Sequence, residues 1–194
     1  IDESSSNMSK ASKKIKKIYS QSIQGLAKGD LSALKKNRKA VSKYSEEVDD
    51  LRNDLFYFIK NLDEETIKGA SNFYINVLAY MQDIAESLQY ISKITYKHIN
   101  NNHTHLTFNQ IRELQEIDSE LNNLYNEIQF IFSNENLKEL NKVIDKKQEL
   151  YSSLKEKIDI QIARTKKDES SPKNTTLYFS ILIESKDLVE KTMN

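Results

Sequence analysis

Pairs of oxygen-bearing side chains spaced four residues apart are the most suggestive chemistry in this chain. Glu46 and Asp50 fall one helical turn apart, and Gln82 and Glu86 repeat the spacing. In each helix the pair lies opposite the apolar stripe. If the two faces are neighbours, three carboxylates and one amide converge at the surface and offer oxygen ligands to a hard divalent cation. The same pattern also describes a solvated face whose acids are balanced by nearby lysines. The three histidines say less. His98 sits on an apolar seam, where a packed, hydrogen-bonded ring is expected. His103 and His105 have the spacing of a zinc pair, but no second pair of ligands stands at a matching distance in the sequence. No Glu-x-x-His occurs, which excludes the ferritin-like di-iron bundle. Cysteine is absent, as are a Gly-x-Ser-x-Gly elbow and a glycine-rich phosphate loop, so no enzymatic activity is expected.

The elements that must hold these side chains are helices. Three glycines and one proline in 194 residues supply too few turns for sheets. Apolar residues at 38% and charged residues at 30% suit helices that are wet on one face and buried on the other. Lysine plus arginine equals aspartate plus glutamate, 29 each, so no global field favours nucleic acid or acidic lipid. Basic clusters at Lys13–Lys17 and Lys35–Lys39 are local, and read first as solvated helix faces. No apolar run approaches the roughly 18 residues of a membrane span, and the polar first ten residues carry no signal-peptide pattern. The opening Ile1-Asp2-Glu3, without an initiator methionine, suggests an excised fragment.

Six helices can be read. The first runs from about Ser9 to Leu26, with Ala11, Ile15, Ile18 and Ser22 on its stripe; Gly25 and Gly29 end it and Asp30 caps the second. The second reaches about Leu62 and carries Leu34, Val41, Val48, Leu55 and Ile59. Asp63 is the expected cap of the third, whose stripe is the cleanest: Ile67, Ala70, Tyr74, Val77, Met81, Ile84, Leu88, Ile91, Thr95 and His98. Thr107 and Gln110 form a capping box before the fourth, which carries Leu114, Ile117, Leu121, Leu124, Ile128 and Ile131. Asn134 is the expected cap of the fifth, with Leu140, Ile144, Tyr151, Leu154, Ile158 and Ile162 as its stripe. The polar stretch Lys166 to Lys173, with Pro172, breaks it, and the sixth starts near Asn174 with Tyr178, Ile181, Ser185 and Leu188. Two antiparallel three-helix bundles, residues 1–102 and 103–194, are the economical all-α packing; one elongated six-helix bundle is the rival.

The segment Phe73–Leu88, with its Tyr-Met-Gln-Asp-Ile-Ala-Glu core, resembles the long third helix of PhoU-like domains. Glu46-Glu-Val-Asp-Asp50 resembles the acid pair on their second helix. Asn174–Leu188 and the Asn101-Asn-His103 loop resemble the C-terminal domain of Bacteroidetes-type sodium/phosphate (Na/Pi) cotransporters. From about residue 10 onward, the resemblance implies a PhoU-like fold of two three-helix bundles related by an internal repeat. It implies a regulatory domain on the cytoplasmic side of the inner membrane that modulates phosphate transport by docking exposed helix faces. The partner so implied is its own transmembrane transporter domain or a phosphate-signalling protein, without nucleic acid; a homodimer stays open. It also places Glu46, Asp50 and Glu86 at the family's metal positions, for iron, zinc, manganese or magnesium. Gln82 departs from the family pattern by replacing a glutamate. In the second half Asp145 and Glu149 stand for the fifth-helix acids, whereas Lys186 and Glu190 fall where the sixth-helix acids belong. A stand-alone phosphate-response regulator and a structural helical adaptor are the alternatives.

Overall fold

The structure is a computed structural model and describes residues 2–61, 64–134 and 136–192, with side chains for all of these except 2–7, 58, 64–74 and 137. Among the described residues there are six α-helices and no strand: α1 (Asp2–Lys28), α2 (Leu31–Lys60), α3 (Glu64–Asn100), α4 (Phe108–Ser133), α5 (Leu140–Lys166) and α6 (Pro172–Lys191). The all-α, six-helix expectation is met. Short connections make consecutive helices antiparallel. Helix α1 lies at the centre and packs on α2, α3 and α4; α3 also packs on α2 and α6, and α5 packs on α4 and α6. The apolar core runs through both halves of the chain, from Ile15 and Tyr19 through Leu88, Leu121 and Leu124 to Ile181 and Leu188.

Local chemistry explains the ends. Gly29 adopts φ of 63°, the left-handed conformation that stops α1. The Asp30 N–H donates to the Gly25 carbonyl, and the Asp30 carboxylate accepts from the Ala33 N–H at 3.0 Å, capping α2. Before α4 the box is complete: the Thr107 hydroxyl accepts from the Gln110 N–H, and the Gln110 carboxamide oxygen accepts from the Thr107 N–H at 3.1 Å. Three boundaries differ from the sequence reading. Helix α1 begins at Asp2, before Ser9. Asn134 closes α4, its N–H donating to the Phe130 carbonyl, and α5 starts after a 3-10 turn at Leu137–Glu139. Helix α5 ends at Lys166, where the polar stretch was expected to break it, and α6 opens two positions earlier than read, with Pro172 as its first residue, where the missing N–H costs nothing; the Ser171 hydroxyl accepts from the Asn174 N–H. Asp63, Leu62, and the side chains of Ile67, Ala70 and Tyr74, lie outside the described residues.

The heptad stripes of α3 and α4 are buried as expected, from Met81 to His98 and from Leu114 to Ile131, with Val77 partly buried. Helix α5 is rotated from its expected seam. Val143, Leu150, Leu154, Lys157 and Gln161 face inward, while Ile144 and Ile162 are 50% and 42% exposed. The physical reason lies on α4. Its acids Glu113, Glu116, Glu120 and Glu127 meet Arg164, Lys157, Ser153 and Lys146 in reverse order at 2.9, 3.1, 3.1 and 3.4 Å. This antiparallel polar ladder holds α5 in one rotation and register, and overrides the isoleucine pattern. Glu113 and Arg164 form its buried end: both carboxylate oxygens accept from Arg164 Nη2 at 2.9 Å, while Nη1 donates to Gln161 at 2.6 Å.

The α1–α2 hairpin is set by a close approach. A Cβ placed on Gly25 would lie 2.6 Å from Leu34 Cδ2 and 2.8 Å from its Cγ, and Leu34 is fully buried. Gly25→Ala in an ordinary helix interior gains about 1 kcal/mol; here overpacking of about 1–3 kcal/mol opposes it. The expected result is a lower melting temperature by circular dichroism, and a stabilised variant contradicts the packing. Arg164→Met strands the Glu113 carboxylate and is expected to cost about 3–5 kcal/mol in denaturant unfolding. Replacing both partners, Glu113→Leu with Arg164→Met, recovers most of that loss.

Candidate functional site

The sequence-derived metal candidates Glu46, Asp50 and Glu86 are all exposed. Their helices are neighbours, with Gln89 of α3 donating to Ser45 of α2 at 2.8 Å. The acids are nevertheless divided. Glu46 borders a depression on the α2–α3 side, whereas Asp50 borders one on the α1–α2 side, and Glu86 lines neither. Gln82 turns to Asp49 at 3.5 Å. Among the described residues no group of three or more histidine, aspartate or glutamate side chains converges as a metal cluster. In the second half Asp145 and Glu149 are exposed, the Lys186 ammonium lies 5.2 Å from the Tyr151 ring centre, and Glu190 accepts from the Tyr151 hydroxyl.

The histidines hold the α3–α4 connection. His98 Nε2 meets the Thr104 carbonyl at 2.8 Å, which fixes that nitrogen as the protonated donor. Burial lowers the His98 pKa, the Thr104 hydrogen bond raises it, and His103 and His105 add to the lowering. The His103 ring lies 5.3 Å from that of His98. His105 closes over Gly29, where a Cβ would come 2.8 Å from its Cε1. The His105 carbonyl accepts from Asn174. Three loops are thus tied together at one end of the molecule.

A depression lies on the outer face of α2. Lys35, Arg38, Lys39, Ser42, Lys43 and Glu46 line it with Tyr96 of α3, enclosing about 470 Å³. The Arg38 guanidinium sits 5.1 Å from the Tyr96 ring centre, a cation–π contact that fixes the long side chain and leaves its donors to solvent. Four cations against one carboxylate give this groove a net positive lining. On the other side of α2, Ala11, Val48, Leu51 and Met81 floor a smaller hollow of about 260 Å³ rimmed by Lys10, Lys14, Asp50 and Asp54.

Buried polar residues were not visible as such in the sequence. Gln110, already the capping-box residue, is fully buried and donates to Gln161 and Ser170 at 3.1 Å each. Asp118 is buried at the α1–α4 seam and accepts from Ser20, Gln24 and Asn122 at 3.0, 3.3 and 3.4 Å. The signal available was an acid beside Ile117 on the predicted buried face of the fourth helix. Burial raises the Asp118 pKa, and the Gln24 and Ser20 hydrogen bonds pull it partly back. A carboxyl whose folded pKa exceeds its unfolded value binds its proton more tightly when folded. Stability therefore falls as pH rises from the ordinary carboxylate range through the folded pKa. Asp118→Asn is expected to remove that fall: the variant gains on the parent chain at pH 7 and the gap narrows below the ordinary carboxylate range. Unfolding curves across that range check it, and an equal gap at every pH contradicts it. No family model, no curated protein and no solved structure matches this chain.

Proposed function

We propose that this chain is a non-enzymatic regulatory module of the PhoU-like kind, serving a sodium/phosphate cotransporter and acting by docking rather than by chemistry. The observation that carries the reading is the α2–α3 groove, where Lys35, Arg38, Lys39 and Lys43 surround Tyr96 on an exposed helix face. Its guanidinium is held by a ring and its donors stay free for carboxylates, as an arginine at a contact surface requires. The order of the PhoU-like segments and the six-helix architecture support the same reading. No helix among the described residues is long and apolar enough to cross a membrane. In this reading the exposed acids Glu46, Asp50 and Glu86 belong to the docking face rather than to a metal centre.

Sodium-dependent phosphate uptake in cells tests the proposal. Arg38→Glu combined with Tyr96→Ala alters the groove and leaves the core intact. Uptake is expected to change several-fold at constant transporter abundance, while sodium dependence persists. Unchanged uptake, with the variant chain present at normal levels, overturns the docking role.

A further inference from the structure

The groove around Arg38 and Tyr96 carries its charges in a definite order. Lys35, Lys39 and Lys43 form one ridge along α2, each about 6 Å from the next along the helix axis. Arg38 and Ser42 form a second row on the side of α3, where the guanidinium rests on the Tyr96 ring. Glu46 stands at the far end. All six α2 residues are exposed, and none of the five charges forms an ion pair among the described residues. Helix α2 pairs instead through Glu47, which meets Lys14, and through Asp49, which meets Arg52. Lys35/Lys39 and Lys39/Lys43 are like charges four residues apart, an arrangement that an isolated helix disfavours.

This order selects among anions. An extended peptide rises about 3.3 Å per residue, so acids at alternate positions stand about 6.6 Å apart on one side of it. Three of them match the three lysines over a span of about 12 Å. The same segment brings N–H donors or a basic side chain to the Ser42 hydroxyl and the Glu46 carboxylate, both of which accept. A polyphosphate or nucleic-acid backbone is charged on every unit and brings no such donors along its length. It meets repulsion at Glu46 and again at Asp50, one turn further on. An amphipathic helix lacks its usual hold, because none of the exposed apolar residues of α2, Leu31, Phe56 and Tyr57, lines the groove.

We infer that the α2–α3 groove binds an extended acidic segment of a partner protein. Three carboxylates at alternate residues meet Lys35, Lys39 and Lys43, and a basic residue follows at Glu46. Arg38, held by Tyr96, donates to the main-chain carbonyls between them. The inference rests on the reading of this face as a contact surface and names the chemistry of its occupant. Contacts made by exposed charges give a weak association that salt loosens.

Fluorescence anisotropy tests this, with the 194-residue chain and a labelled peptide Ser-Glu-Ser-Glu-Ser-Glu-Ser-Lys, at about 50 mM and about 500 mM salt. Binding is expected at low salt and is expected to weaken about tenfold or more at high salt. Lys39→Glu is expected to weaken it about tenfold or more. Lys155→Glu, an equal change of net charge at an exposed position of α5, leaves it unchanged. Exchanging the peptide's lysine for glutamate is expected to weaken binding to the parent chain and to strengthen binding to Glu46→Lys. Circular dichroism establishes that each variant is folded. No binding at low salt, an equal loss in Lys39→Glu and Lys155→Glu, or tighter binding of tripolyphosphate than of the peptide overturns the inference. Phosphate uptake judges the docking role separately: groove variants that alter uptake while the peptide fails to bind leave a contact surface for a partner of other chemistry.

Discussion

Helix α1 has to be buried on several sides at once, and the rest of the bundle is arranged to meet that demand. Its neighbours α2, α3 and α4 enclose it, and Tyr19 reaches across the core to α6, where its hydroxyl meets that of Ser185 at 2.7 Å. Small residues make this possible. Ala11, Ser12, Ser22 and Gly25 are all buried and let partner helices approach the backbone. Each polar atom admitted with them needs a partner. Ser22 donates back to the Ile18 carbonyl, and Asn37 of α2 donates both to that carbonyl and to the Ser22 hydroxyl. The α1–α4 seam is similarly specified by Ser20 and Gln24 at Asp118, Lys16 at Asn126, and Ser9 at Ser133. Partner numbers fall as α1 numbers rise, so the polar contacts fix one antiparallel register.

The second half is held differently. Helix α5 contributes few large apolar side chains to the core, and its position is written in charges and amides. Apolar packing tolerates small rotations, whereas a buried Glu113–Arg164 pair does not. Around it, Gln110 links the cap of α4 to α5 and to the loop leading into α6. The Tyr178 hydroxyl sits against the Glu113–Arg164 pair, and the amide oxygen of Asn174 is buried without a hydrogen-bond partner among the described residues.

Elements whose periodicity coincides with apolarity were legible in the sequence. Met81, Ile84, Leu88, Ile91, Thr95 and His98 are all buried, and Gly29, Asp30 and Thr107 act at the helix ends where they were expected. The buried face of α5 was legible only in part: Leu154 is buried and Leu140 and Ile158 pack against the core as read, but two further core positions are Lys157 and Gln161, and Ile144 and Ile162 stand outside. Only the facing helix reveals why, through acids whose role depends on a neighbour more than on their own pattern. Asn134 was misread for a related reason: asparagine suits either end of a helix, and the flanking hydrogen bonds decide. At the site, the exposure of Glu46, Asp50 and Glu86 followed from rotation about each helix axis. Their separation into different depressions depended on how α1, α2 and α3 are set against one another, which no single stripe specifies. The basic groove lay half in view, since Lys35–Lys39 was evident while Tyr96 joined it only through packing.

The Tyr19–Ser185 contact joins residues 166 positions apart. During synthesis the first helix leaves the ribosome long before the last one exists, at roughly 5–20 residues per second. For several seconds α1 and α2 can form their hairpin, but the side of α1 destined for α4 and α6 has nothing to cover it. The apolar face of α1 is covered once α3 and α4 emerge, whereas the Tyr19 phenol stays unmatched until α6 follows.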